Sequence, residues 1–217
     1  MTTTDRRSPI QPGERAPDFI LPAVNREGTV SLADYRGKSA LFLAVFRGLW
    51  CPFCRRAIAE LGPISDKLRA VGVETLAVVA SDVENSRLYF KFRPTRVPLA
   101  ADPECTTHRA YGLPRVPMTP ETMEAMKATR VNPTGELAQP MPVMEAAAAL
   151  DRLQGFQPSE TDHSDYEKQA GQLKGQFLLD REAVVRWANV ECATDGMAGL
   201  GKFPTADVLL TAARAIA

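Results

Sequence analysis

Apolar residues run almost without a break through SALFLAVF, residues 39–46, with no polar residue at alternate positions. A strand with one face in water would alternate, so this run predicts a strand covered by helices on both faces, at the centre of a sheet. From Pro52 the spacing changes: Ala57, Ile58, Leu61, Ile64, Leu68 and Val71 recur at helical intervals, while Arg55, Arg56, Glu60, Asp66 and Lys67 fill the other face. This predicts an amphipathic helix with Pro52 at its first position. A kink is expected at Gly62-Pro63, because Pro63 has no N–H to give the preceding turn. VETLAVVAS, residues 73–81, reads as a second buried strand. Residues 39–81 are then a β-α-β unit with parallel strands and a right-handed crossover.

Beyond this unit the pattern predicts a helix in SDVENSRLYFKF, a strand in VPLAAD and a short helix in TTHRAYGL. A stretch of different character, about 114–171, is rich in Pro, Met, Thr and Ala and reads as an insertion. Within it TPETMEAMKA carries a Thr-Pro helix start, MPVMEAAAALDRLQGF is built of strong helix formers ending at Gly155, and the polar QPSETDHSDYEKQAGQ reads as loop. GQFLLD and VVRWANV predict an antiparallel hairpin turning at 180–183, and FPTADVLLTAARAIA a last helix capped by Thr205. Before the central strand, DFILPAV reads as a short strand or hairpin arm, and residues 1–16 as a flexible tail stiffened by prolines. The expected organisation is one domain over 17–217: a central mixed sheet flanked by helices, with a helical and loop insertion ahead of the C-terminal hairpin.

Composition narrows the function classes. The chain has 217 residues, enough for one well-buried core. Lys plus Arg and Asp plus Glu number 26 each, so no overall field favours nucleic acid or an anionic membrane. No apolar stretch near the start has the form of a signal peptide and none later approaches a membrane span, so the cytoplasm is the expected location. Four cysteines are too few for a disulfide-stapled fold; a close pair in a reducing compartment points to catalysis or metal binding.

Two of the four stand three apart, Cys51 and Cys54, between the central strand and its helix. A helix start supplies free N–H groups and positive partial charge that favour a thiolate, and Cys54, one turn on, can reach Cys51 to form a disulfide. Arg47, Arg55 and Arg56 crowd the same end and would add to the effect. The strand's C-terminal end is also where open α/β sheets bind ligands. Two other readings stay open: inert buried thiols, and a tetrahedral metal site joining Cys51 and Cys54 to Cys105 and His108. The insertion's Met118, Met123, Met126, Met141 and Met144 read as helix packing more than as a lid, and the insertion offers a surface for a homodimer. His163 reads as a surface or loop residue, Cys192 as buried and unpaired, and DGMAGLGKF (195–203) lacks a phosphate-loop pattern.

The stretches GERAPDFILPAVNREGTVSLADYRGKSALFLAVFRGLWCPFC, AADPECTTHRAYGL and GQFLLDREAVVRWANVE resemble the peroxiredoxins of the alkyl hydroperoxide reductase/thiol-specific antioxidant superfamily, in its branch with a W-C-P-x-C centre. The resemblance covers about 150 residues, leaves the insertion out, and implies a thioredoxin-like fold and thiol-dependent reduction of peroxides or disulfides. It also implies departures. Peroxiredoxins present P-x-x-x-T-x-x-C; aligned on Cys54, this chain has Arg47 for the Pro and Cys51 for the Thr. By likeness to thioredoxins Cys51 is the attacking thiol and Cys54 the resolving one. Thioredoxins place a proline ahead of the strand where this chain has Lys174-Gly175-Gln176; peroxiredoxins often have Arg-Gly there, which makes Lys174 the counterpart of a peroxide-polarising arginine. The sites so implied are catalytic Cys51, Cys54, Lys174 and Arg47, with Trp50 and Pro52 lining the substrate. The cycle needs no bound cofactor or metal. Its partners are a hydroperoxide and an external thiol reductant of thioredoxin, glutaredoxin or glutathione type; the alternatives are a protein disulfide oxidoreductase and a non-enzymatic binding module.

Overall fold

A computed structural model describes residues 8–216. Strands β1 (Ile20–Pro22) and β2 (Thr29–Ser31) form an antiparallel arm. Then come β3 (Ala40–Phe46), α1 (Pro52–Arg69), β4 (Val73–Val79), α2 (Val83–Phe92), β5 (Leu99–Ala101) and α3 (Thr106–Ala110). The segment between α3 and the hairpin holds α4 (Pro120–Ala128), the two-residue strands β6 (Arg130–Val131) and β7 (Met141–Pro142), α5 (Val143–Leu153) and α6 (Glu160–Gln169). The hairpin is β8 (Gly175–Leu179) and β9 (Val185–Val190), and α7 (Ala206–Arg214) follows.

The main sheet has the order β5-β4-β3-β8-β9, with β3, β4 and β5 parallel and β8 and β9 antiparallel to their neighbours. All seven residues of β3 are buried, and alternation sends them to two cores. Phe42, Ala44 and Phe46 face the cluster that includes Ile58, Leu61 and Leu68 of α1, Leu150 of α5 and Leu209 of α7. Leu41, Leu43 and Val45 face Tyr111, Phe177 and Val185 on the other side. A strand buried on both faces cannot alternate polar with apolar, which is why this one reads as an unbroken run.

Two expectations change. The polar stretch expected as loop contains α6. Its inward residues are Asp162, Asp165 and Gln169, so no apolar periodicity marks it; what starts it is a capping box, Ser159 with Asp162. Helix α1, as expected, continues through Pro63, whose missing donor falls opposite Ala59, and it ends at Arg69. Residues 1–7 of the expected tail lie outside the described residues. Residues 8–16 are tied to the domain at three points: Ile10 is buried and its N–H bonds Tyr111 O at 3.0 Å, while Gly13 and Ala16 donate to Val185 and Ala183 at 2.8 Å each.

The two ends of the inserted segment are clasped to each other. Arg115 bridges Gln172, Val116 N–H donates to Gly171 O at 2.8 Å, and Leu173 N–H donates to Pro114 O at 2.9 Å. Gly171 has φ of +83°, and a Cβ there would stand 1.9 Å from Val116 O. Gly171→Ala should therefore destabilise the protein by about 2 kcal/mol or more; a urea midpoint within error of wild type would contradict this.

Candidate active site

Phe46 ends β3, and the chain turns through Arg47-Gly48-Leu49-Trp50 to the start of α1. The turn is tight: Cys51 N–H bonds Gly48 O at 3.0 Å, and Leu49 N–H is held by Ser81 Oγ at 2.8 Å. Cys51 is the N-cap of α1 and Pro52 its first residue; the Cys54 N–H points back to Cys51 Sγ at 3.3 Å. Both thiols are free and buried, Cys51 being 2% exposed. The sequence-derived placement of the sulfur at a helix start is what the structure contains.

The charges around the pair differ from expectation. Arg55 turns away to Asp151 of α5 and to Gln154, which caps that helix, donates to Leu49 O and lies over the Phe156 ring at 3.5 Å, so it fastens α5 to α1. Arg56 pairs with Glu60 and Glu136. The cations that act on Cys51 are Arg47 and Lys174. Burial by itself pushes the Cys51 thiol up; the hydrogen bond from Cys54 and the charges of Arg47 and Lys174 outweigh it against an opposing Glu191, and the thiol falls to about 5. Burial, the same hydrogen bond and the neighbouring thiolate push Cys54 the other way, well above the ordinary thiol range. The pair is thus divided into a thiolate and a thiol.

Lys174, directly before β8, is fully buried. Its Nζ donates to Gly201 O at 2.9 Å and stands 3.7 Å from Glu191 Oε1. Glu191 was not among the sequence-derived candidates. It follows β9, and its side chain is entirely buried, receiving Arg47 through two nitrogens at 2.9 and 3.1 Å and the Gly201 N–H at 2.7 Å. A signal for it existed in the hairpin register: Gly175 pairs with Val190, so the next pair outward is Lys174 with Glu191.

Beside Cys51 opens a cavity of about 530 Å³. Arg47, Trp50, Cys51 and Pro52 line its floor; the inserted segment supplies much of the wall, including Met118, Met126, Val143, Met144, Ala147 and Tyr166, and Leu173, Met197 and Leu200 complete it. Met118, Met126 and Met144, expected as packing, therefore roof the site. Trp50 is pinned in the wall: its Nε1–H donates to Gln169 at 3.0 Å and its ring meets Tyr166 edge-on at 5.0 Å. His163 and Cys192 also border the cavity, and burial pushes the Cys192 thiol up to about 11.

Cys105 and His108 do not join the pair. Cys105 borders a different cavity with Arg109 and Arg115, and its thiol is pushed up to about 12 by burial. His108 is buried on α3, where burial lowers it to about 4. Among the described residues, no group of three or more His, Cys, Asp or Glu side chains could hold a metal ion. The four proposed metal ligands are not brought together.

Comparison with known proteins bears on this geometry. The profile of the AhpC/TSA family matches residues 12–188, most of the chain. The chain belongs to the AhpC/TSA family. It is 29% identical over 136 residues to the thiol-disulfide oxidoreductase ResA of Halalkalibacterium halodurans, which spans 62% of this chain and 75% of that protein. Two similar solved structures show the thioredoxin-like fold. Peroxidoxin BcpB from Mycobacterium tuberculosis superposes with a TM-score of 0.59 at 14% identity, covering 96% of this chain and 99% of that one. The reduced 2-Cys peroxiredoxin of Plasmodium vivax gives a TM-score of 0.59 at 18% identity, covering 96% and 82%. Membership of the AhpC/TSA family, with a close cysteine pair at the head of α1, makes the chain a thiol-dependent oxidoreductase.

Proposed function

We propose that this AhpC/TSA-family chain is a peroxidase that reduces hydroperoxides with an apolar substituent, with Cys51 attacking and Cys54 resolving. The observation that carries this reading is the seat of Cys51: a buried sulfur at the floor of an apolar cavity admits a small molecule and gives no ridge for the backbone of a folded protein. The Cys51 thiolate attacks the terminal oxygen of RO–OH; an S–O bond forms, the O–O bond breaks, and RO⁻ leaves and takes up a proton. The Cys54 thiol then displaces water from the sulfenic acid, giving the Cys51–Cys54 disulfide. An external thiol reductant of thioredoxin, glutaredoxin or glutathione type returns both thiols, and the cytoplasm supplies such reductants. Arg47, on the cavity floor, polarises the peroxide; Lys174, behind it, supports the thiolate by its charge. Trp50 and Pro52 form the apolar floor.

The test is a comparison of substrates. Each methylene buried in the cavity is worth at most about 0.8 kcal/mol, or about fourfold in kcat/KM, so cumene and linear alkyl hydroperoxides should outrun hydrogen peroxide and the rate should rise with chain length. A flat series would remove the apolar preference. Insulin disulfides reduced faster than any peroxide would instead favour the disulfide-exchange activity that the name of the Halalkalibacterium halodurans relative carries.

A further inference from the structure

Glu191 holds Arg47 in an unusual way. The carboxylate takes both terminal nitrogens of the guanidinium, at 2.9 and 3.1 Å, and is itself fixed by the Gly201 N–H at 2.7 Å and, more loosely, by the Lys174 N–H at 3.4 Å. Both side chains are nearly or wholly buried, so water screens their pairing little. The guanidinium also lies within hydrogen-bond reach of the Cys54 side chain. Arg47 lines the cavity that holds Cys51.

We propose that Glu191 is a positioning residue for the peroxidase reaction: by occupying the fork of Arg47 it fixes the plane and place of the guanidinium at the cavity that holds Cys51, where it can meet an oxygen of the hydroperoxide. This rests on the peroxidase reading above. A fork-on-fork pair fixes the plane as well as the place of the guanidinium. Glutamine at 191 could still accept from Gly201, and it would lose the second oxygen and the charge that hold that plane. The role is separate from making the thiolate, because the Glu191 charge opposes ionisation of Cys51.

That separation gives the test. In Glu191→Gln, the thiolate absorbance of the full-length protein is titrated, and the second-order rates of thiol loss to cumene hydroperoxide and to iodoacetamide are measured at pH 8, where the thiolate is already formed. Alkylation has no O–O bond to polarise. The expected result is a thiolate midpoint at or below the wild-type value, a peroxide rate down about tenfold or more, and an alkylation rate within about threefold of wild type. Glu191→Asp, which keeps the charge on a shorter arm, should recover part of the peroxide rate. In an Arg47→Lys background, adding Glu191→Gln should cost little more, since there is no fork left to hold. The proposal is overturned by a peroxide rate that stays at the wild-type value, by both rates falling together with a midpoint raised toward an ordinary thiol, or by additive losses in the double variant. If instead the wild-type thiolate is alkylated yet consumes no peroxide, it is the peroxidase reading that fails.

Discussion

Replacing Cys51 by serine is expected to lower hydroperoxide consumption by at least about 10³-fold, the usual scale for losing a nucleophile. Cys54→Ser should behave differently: the first equivalent of peroxide is consumed at close to the wild-type rate, and the enzyme then stops. The reason is the division of labour in the structure. Cys51 caps α1, receives the Cys54 N–H and faces two cations, whereas Cys54 is fully buried and its thiol is driven up. This division is what supports the proposed roles, with the first attacking and the second resolving. Mass spectrometry after trapping with a sulfenic-acid reagent should find the adduct on Cys51 in the Cys54→Ser protein, and an adduct on Cys54, or an inactive Cys54→Ser with an active Cys51→Ser, would reverse the assignment.

The second large effect is on pH. Because the Cys51 thiol is lowered to about 5, the thiolate dominates from neutrality down to about pH 6, and the peroxide rate should be nearly flat there and halve near pH 5. The same ionisation is linked to folding. Lowering the folded pKa below that of the unfolded thiol adds stability that is complete above the unfolded value and is lost as pH falls through about 5. Between the folded value and pH 7 the contribution is about 3 kcal/mol. Reduced wild type should therefore lose stability between pH 7 and pH 5 that Cys51→Ser does not, as read by parallel urea titrations at the two pH values. Equal losses in the two proteins would mean that the thiolate is not selectively stabilised by the fold.

Much of this was legible in the chain itself. The unbroken apolar run of β3, the amphipathic spacing of α1 and the two cysteines between them are local patterns, and local patterns survive folding. What the sequence left unmarked depends on contacts between distant segments. Arg47, Arg55 and Arg56 look alike along the chain, and only the approach of α5 and Glu136 shows that two of them are already paired. Lys174 could have been a solvated charge until the hairpin register set it against Glu191. Helix α6 hid because its inward face carries Asp162, Asp165 and Gln169, groups whose burial is tolerable only with partners such as Asn85 and the Asp82 and Ala80 backbone.

The clasp at Arg115 and Gln172 gives the inserted segment a narrow neck. Strand β5 ends on the same edge of the sheet as β3, since the two run parallel through β4, and β8 begins on that edge because it runs opposite to β3. Whatever chain is spliced between them must leave and re-enter beside the sulfurs. Changes to this canopy's cavity-facing side chains can thus alter what fits above the sulfurs while the sheet, the two thiols and their buried counter-charges stay in place.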